Sequence, residues 1–383
     1  MRLQLLSFPV LISTLAAALT MALTSNAAFT VGPVKAQSMS KLTFAPDGTL
    51  FIGDSIGARI FAVDLDDRTP VNDPGKLNVS DLERKIGGML GVDARDVLIH
   101  DMAVNPVSKN IYLTASRGRR NFSLEWQLPN DVANASVLLR VAPNGDIEEV
   151  RLDSVKYSVT DVSNPANEAV EVDWKKTKAR VDAISDMAFA DGKLFVTGLS
   201  NEEFASTMRI YSFPFNKEDS STSLEIYHGS HGKYETDAPV RAFLPIRING
   251  KPSLLASYLC TPLVVFSMDE LLDKKHVKGR TIAELGDGSY PLDMVEFHFK
   301  NKVYVLIVNS TRGVILVNED YLSQPLPNIT EQIEGTAGIP FEHPRNVGGV
   351  LHAGNYGDKK LVFLRRDPFN GDLQLVSREI DLP

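Results

Sequence analysis

Apolar residues along this chain come in short runs that alternate with polar positions and are bounded by tight-turn residues, a period of two that predicts half-buried strands rather than helices. The runs recur as a unit. A small or acidic residue opens an apolar strand, a turn follows, a second apolar strand ends in polar residues, and a third strand completes the set. "SKLTFAPDGTLFIGDSIGARIFAVDL" is the first copy, and "HDMAVNPVSKNIYLTASRG" with "SVLLRVAPNGDIEEVRL" is the second. The third runs through "SDMAFADGKLFVTGLSNEE", "MRIYSFPF" and "SLEIYHG". The fourth is "VRAFLPIRINGKPSLLASYLCTPLVVFSM", the fifth "LDMVEFHFKNKVYVLIVNSTRGVILV", and the sixth starts at "VGGVLHAGNYGDKKLVFL". Pro46-Asp47-Gly48, Asp191-Gly192, Asn249-Gly250 and Asn370-Gly371 supply hairpin turns between the runs. Such sheets, repeated radially, predict an all-β, six- or seven-bladed β-propeller, with a degenerate seventh blade sought in residues 65–98 or 318–346.

Helical signals are few. "SDLERKIGGML" at 80–90 begins with an N-cap residue, Ser80, and has Glu83 three positions on; "MDELLDKK" at 268–275 predicts another short turn of helix. The polar stretches 116–135 and 153–180 read as insertions on the surface.

The N-terminus changes the domain reading. Arg2 precedes a long apolar run without acids, the form of a secretory signal, and small residues place cleavage after Ala36 or Ala27. Residues 1–36 are therefore expected to be a signal, and 37–383 a single propeller domain in a secreted or periplasmic protein. Retained, the same run would serve as a membrane anchor. A net charge of −8, more negative still without Arg2 and Lys35, argues against nucleic acid and against an anionic membrane as partner. One cysteine, Cys260, forms no internal disulfide, so core packing must supply the stability.

Strand order in a propeller brings two sets of residues to the face where the inner strands begin, the top face. Asp101, Asp186 and Asp293, each followed by Met, open inner strands, with Arg241 at the corresponding place in the fourth copy. As a structural device, the acid bonds strand-end amides and the methionine fills the layer between blades. As a site, three carboxylates at one axis suit calcium or magnesium. The second set ends second strands and includes Arg117, Asn309, Arg312 and Asn355 as ligand-binding candidates. Arg117, Arg119 and Arg120 form a dense basic cluster. The stretch "IYHGSHGKYETDAPVRAF" carries His228 and His231 in the connection entering the fourth copy, which Cys260 tops. Together they make a nitrogen–nitrogen–sulfur set suited to zinc or copper.

Through "LTFAPDGTLFIGDSIGARIFAVDL" the first copy resembles the NHL and SMP-30/gluconolactonase-like propellers. That resemblance implies the architecture, and for the lactonases a central divalent ion held by Glu, Asn and Asp. Asn309, Asn355 and one of the three Asp-Met acids stand where such ligands would be, but Ser40 and Lys41 stand near the place of the first-strand glutamate. The expected function is a propeller that binds a protein or small-molecule ligand on its top face, with a metal at the channel mouth. The alternatives are a metal-dependent lactonase and a copper, zinc or redox protein. No CxxCH haem site is present.

Overall fold

A computed structural model describes residues 29–380 except 118–135, 173–176, 217, 261, 300–301 and 346. The predicted alternation becomes hairpins. Asp191 (φ 49°) and Gly192 (φ 75°), like Asn249 (φ 51°) and Gly250 (φ 75°), place two successive residues in the left-handed region, the two-residue turn whose twist matches the strands it joins. Six sheets stand in a ring, antiparallel throughout except where His276–Lys278 pairs parallel with Glu218–His228, so the chain is a six-bladed β-propeller.

From the axis outward, blade 1 comprises Lys41–Phe44, Leu50–Asp54, Arg59–Asp64, Val155–Asp161 and Thr30–Gly32, and blade 2 comprises Val97–Val104, Ile111–Arg117, Ser136–Val141 and Ile147–Glu149. Blade 3 runs from Asp186–Ala190 through Lys193–Leu199 and Ser206–Ser212 to Glu218–His228. Blade 4 holds Ala242–Ile248, Lys251–Ser257, Pro262–Ser267, Arg280–Leu285 and Thr336–Gly338. Blade 5 has Pro291–Phe299, Lys302–Asn309 and Gly313–Asn318, and blade 6 has Val350–Asn355, Leu361–Arg366, Leu373–Arg378 and Asn78–Val79.

The blades do not follow one another around the ring in chain order. Buried apolar clusters join blade 1 to blade 2 through Leu50 and Tyr112, and blade 1 to blade 3 through Phe51 and Met187. Blade 2 meets blade 6 through Leu113 and Leu375, so the circuit reads 2-1-3-4-5-6. The cause is Val155–Asp161, inside a stretch the sequence suggested was a surface insertion. It returns to pair with Arg59–Asp64 on blade 1 after blade 2 is complete, and the chain then leaves on the other side. Neither candidate region forms a seventh blade. Residues 65–98 supply the outer strand of blade 6 and the helix Leu82–Leu90, and residues 318–346 supply the short helix Glu319–Leu322 and an edge strand of blade 4. The helix entry also differs from the expected capping box. Asp81, at φ 53°, is the residue before the helix and makes no side-chain cap, while Glu83 accepts from Leu373 N at 2.7 Å and pairs with Arg366. A tertiary partner takes the carboxylate that a local box would use.

The Asp-Met repeat has a physical explanation in this ring. Consecutive side chains on a strand point to opposite faces, and for an inner strand those faces look at the two flanking blades. Asp101 accepts from Leu42 N of blade 1 at 2.7 Å, while Met102 packs in the cluster shared with blade 6. Asp186 accepts from Phe243 N of blade 4 at 3.0 Å, and Met187 packs toward blade 1. Asp293 accepts from Ala353 N of blade 6 at 2.8 Å, and Met294 packs toward blade 4. Three dipeptides on alternate blades thus touch all six interfaces, each bonding one neighbour and packing on the other.

Candidate metal centre

The strand Glu218–His228 ends at the top of blade 3 and turns back through 229–232 into Lys233–Glu235, with Ile226 opposite Glu235 and His228 opposite Lys233. The turn closes on His228 O, which accepts from Gly232 N at 2.8 Å and from His231 N at 3.2 Å. Cross-strand neighbours on one face of a hairpin lie within side-chain reach, so Glu235 meets both histidines. His228 Nδ1 lies 2.7 Å from one Glu235 oxygen and His231 Nδ1 2.7 Å from the other. The two rings are 3.8 Å apart between centroids. Cys260 comes from the turn between the second and third strands of blade 4. It sits at φ 57° with its N–H bonded to Ser289 O at 3.0 Å, a conformation that costs a non-glycine residue about 1–2 kcal/mol and holds the thiol in place.

The fold brings these three residues together. His228, His231 and Cys260 each offer a ligand atom, and the three atoms lie within 4.8 Å of one another; among the described residues no other His, Cys, Asp or Glu set of three does so. His228 is 2% exposed, and its Nε2 is buried without a hydrogen-bond partner. A carboxylate that anchors Nδ1 and leaves Nε2 free is the arrangement that presents imidazole to a metal ion. Burial acts to raise the Glu235 carboxyl, but the bonds from His228 and His231 outweigh it and hold it down at about 2, so it is ionised wherever the protein is folded at ordinary pH. Below the turn, Glu284 is 1% exposed. Its Oε1 accepts from Gly229 N at 2.6 Å, and Oε2 has no partner. Burial pushes its carboxyl up to about 7, with Gly229 N opposing and Glu235 adding to the rise. Gly229 is required here, since a Cβ would lie 2.7 Å from the Glu284 carboxylate. Two imidazoles and a thiol fit zinc or copper, and three protein ligands leave one coordination position for water or substrate.

The axial acids are arranged differently. Each accepts a backbone amide from the next blade, and Asp186 and Asp293 each accept a second from the following methionine at 2.8 Å. Lys41 lies among them, with Nζ 3.9 Å from Asp101. Burial works against its charge, and Asp101, Asp186 and Asp293 overcome this and raise its pKa. Burial pushes Asp186 up to about 7; Lys41 opposes the rise, and Asp101 and Asp293 add to it. His352 Nδ1 approaches Asp101 at 3.4 Å and Asp293 at 3.6 Å. His100 is lowered to about 4 by burial and by Lys41. Arg241 is held by Asp182, its guanidinium 2.7 and 2.9 Å from the two carboxylate oxygens, and its charge acts on Lys41.

The remaining candidates scatter. Asn309, 2% exposed, tops the second strand of blade 5 with neither side-chain polar atom bonded. Arg312 is in the following turn, 3.8 Å from Asp287. Arg117 ends the second strand of blade 2, while Arg119 and Arg120 lie outside the described residues. Asn355 is not at the top. Val350–Asn355 is the inner strand of blade 6 rather than its second, so Asn355 sits at the far end of the channel and donates to Glu296 O at 2.9 Å. Glu235 and Glu284 went unmarked in the sequence, and Lys41 was noted only beside the place of the first-strand glutamate. Glu235 alone had a signal, as the acid four residues after His231 that a hairpin would fold back on His228.

No protein-family model matches the chain. No curated protein matches it either. Among solved structures, the major Malassezia sympodialis allergen Mala s 1 aligns at 12% identity over 92% of this chain and 95% of that one, with a TM-score of 0.36. Native Bacillus subtilis arabinanase Arb43A aligns at 12% identity over 71% and 90%, with a TM-score of 0.33. A chain of the mitotic checkpoint complex aligns at 8% identity over 99% of both, with a TM-score of 0.34. Likenesses at this level say nothing of activity, and the architecture rests on the sheets themselves.

Proposed function

We propose that this chain is an exported β-propeller that holds a zinc or copper ion on its top face through His228, His231 and Cys260, with Glu235 anchoring both imidazoles and one coordination position open for a ligand. The observation that carries this reading is the convergence of three ligand atoms within 4.8 Å beside a buried imidazole nitrogen that has no partner. A bound divalent ion there would polarise a carbonyl or activate water, and copper would exchange an electron. The His231 side chain is 45% exposed, so the cluster is open to solvent on that side. Export rests on residues 1–36, and of the two cleavage sites Ala27 is favoured, because Thr30–Gly32 pairs with Val155–Tyr157 of blade 1 and is kept only by that cut. A calcium or magnesium ion on the axis, and with it an SMP-30-like lactonase, has less support, because the axial acids are bonded to amides and accompanied by Lys41. The likeness to NHL and SMP-30-like propellers is carried here as architecture.

The test is the metal content of chain exported and purified without chelator or metal-affinity resin, for wild type and Cys260→Ser side by side. Near-stoichiometric zinc or copper in the wild type, lost in the variant, is the expected result. An equal metal content in both, or none in either, would remove the centre.

A further inference from the structure

The six inner strands meet at the axis in a charge pattern with one gap. Leu42, Phe243 and Ala353 each donate a backbone N–H to an axial acid, so the residues before them, Lys41, Ala242 and His352, hold equivalent positions on blades 1, 4 and 6. In circuit order the ring therefore reads Asp101, Lys41, Asp186, Ala242, Asp293, His352. Acid alternates with base except at blade 4, where only a methyl group stands between Asp186 and Asp293. The two basic residues face their acids. Lys41 Nζ is 3.9 Å from Asp101, and His352, 9% exposed, turns Nδ1 between Asp101 and Asp293 at 3.4 and 3.6 Å, hydrogen-bonded to neither. Arg241, the neighbour of Ala242 in sequence, gives its guanidinium to Asp182. Burial pushes Asp186, on one side of the gap, up to about 7, and Lys41 on its other side opposes the rise without cancelling it. Like charges converging in a desolvated place favour a cation between them.

A cavity of about 500 Å³ reaches this gap. It runs between the inner strands of all six blades, and Asp101, Asp186, Asp293 and Phe243 are in its wall. Residues two apart on a strand share a face, so the layer beneath the charged ring is Thr43, Ala103, Ala188, Leu244, Val295 and Gly354. That layer is small or apolar at every blade, and all six residues line the cavity. An apolar bore that ends in carboxylates fits a cation carried on a hydrocarbon chain. A calcium ion needs about six to eight oxygen ligands. An ammonium group needs acceptors only for its three N–H bonds, and a carboxylate oxygen that takes one amide keeps a second lone pair. We propose that the channel binds a primary alkylammonium ion, its ammonium group between Asp186 and Asp293 at blade 4 and its chain along the layer that holds Ala188, Leu244 and Val295. No residue of the metal centre takes part.

Calorimetric titration of the full chain at low salt and neutral pH tests this, with hexylammonium, methylammonium and hexanoate as probes. Hexylammonium is expected to bind at least about tenfold more tightly than methylammonium, because its chain leaves water for the channel. Hexanoate, with the same chain and the opposite charge, is expected not to bind. Asp293→Asn keeps an acceptor for Ala353 N and removes one charge, and should weaken hexylammonium by about tenfold or more. Ala242→Lys puts a tethered ammonium at blade 4, as Lys41 does at blade 1, and should abolish binding. Circular dichroism shows whether that variant is folded, and if it is not, Asp293→Asn decides. No binding of hexylammonium at about 10 mM, equal binding of methylammonium or hexanoate, or an Asp293→Asn or folded Ala242→Lys protein that binds like wild type would each overturn the proposal.

Discussion

Asp186 joins the packing of the propeller to its response to pH, and substitution there tests both. Its carboxylate accepts from Met187 N at 2.8 Å and from Phe243 N of blade 4 at 3.0 Å. Asp186→Ala leaves two enclosed amides unpaired, at about 1–3 kcal/mol each, so the loss is about 2–6 kcal/mol. Asp186→Asn keeps one acceptor oxygen and should cost about half as much at low pH. The charge adds a second effect of opposite sense. Because the folded-state pKa is raised to about 7, the native protein binds the proton more tightly than the unfolded chain, and the associated stability is full below about pH 4 and lost as pH rises to about 7. Between about pH 5 and about pH 8 that loss is at most about 2.5 kcal/mol, and the asparagine variant does not undergo it. Urea unfolding of wild type and both variants at the two pH values reads the differences directly. The expected order at about pH 5 is wild type, Asn, Ala, with the gap between wild type and Asn shrinking by about pH 8. His100, held low at about 4, makes stability fall as pH drops from about 6.5, but it does so in every variant and cancels from the comparison. An alanine variant within about 1 kcal/mol of wild type, or an asparagine gap that ignores pH, would refute the account of the axis.

Other expectations follow from the same contacts. Glu235→Gln should keep the fold and weaken zinc or copper binding by about 10–100-fold, since the anchored orientation of both imidazoles is lost; competition with a chromophoric chelator measures it. Arg241→Ala removes the guanidinium from the enclosed Asp182 carboxylate and should destabilise by about 3–5 kcal/mol, while Arg241→Ala with Asp182→Ala should cost less than the two separate losses added; a double-mutant cycle by urea unfolding checks this. Met294→Ala opens a void between blades 4 and 5 and should cost about 2–5 kcal/mol in the same assay, with the axial hydrogen bond of Asp293 retained.

The class of fold was legible because strand alternation and turn chemistry are local. Asn249-Gly250 can make its hairpin whatever lies around it, and each inner strand announces itself by the run that follows its first polar residue. Local pattern also placed His228, His231 and Cys260 on one face, since the end of a fourth strand and the turn after a second strand share an end of the blade. What it could not give was register between segments distant in the chain. Val155–Asp161 looks like any short polar strand, and only its pairing with Arg59–Asp64 puts blade 1 between blades 2 and 3. Asn355 was misplaced for the same reason, because an inner and a second strand carry the same alternation and differ only in what they face. The Asp-Met repeat shows the division most plainly. The sequence by itself determined that three acids and three methionines recur at strand starts, with opposite faces guaranteed by the pleat. Only the closed ring decided that each acid bonds one neighbouring blade and each methionine packs on the other, and that Lys41 stands among the acids. Those contacts depend on which blades become neighbours, and neighbourhood in a ring is settled by the burial of whole sheets rather than by any run of residues.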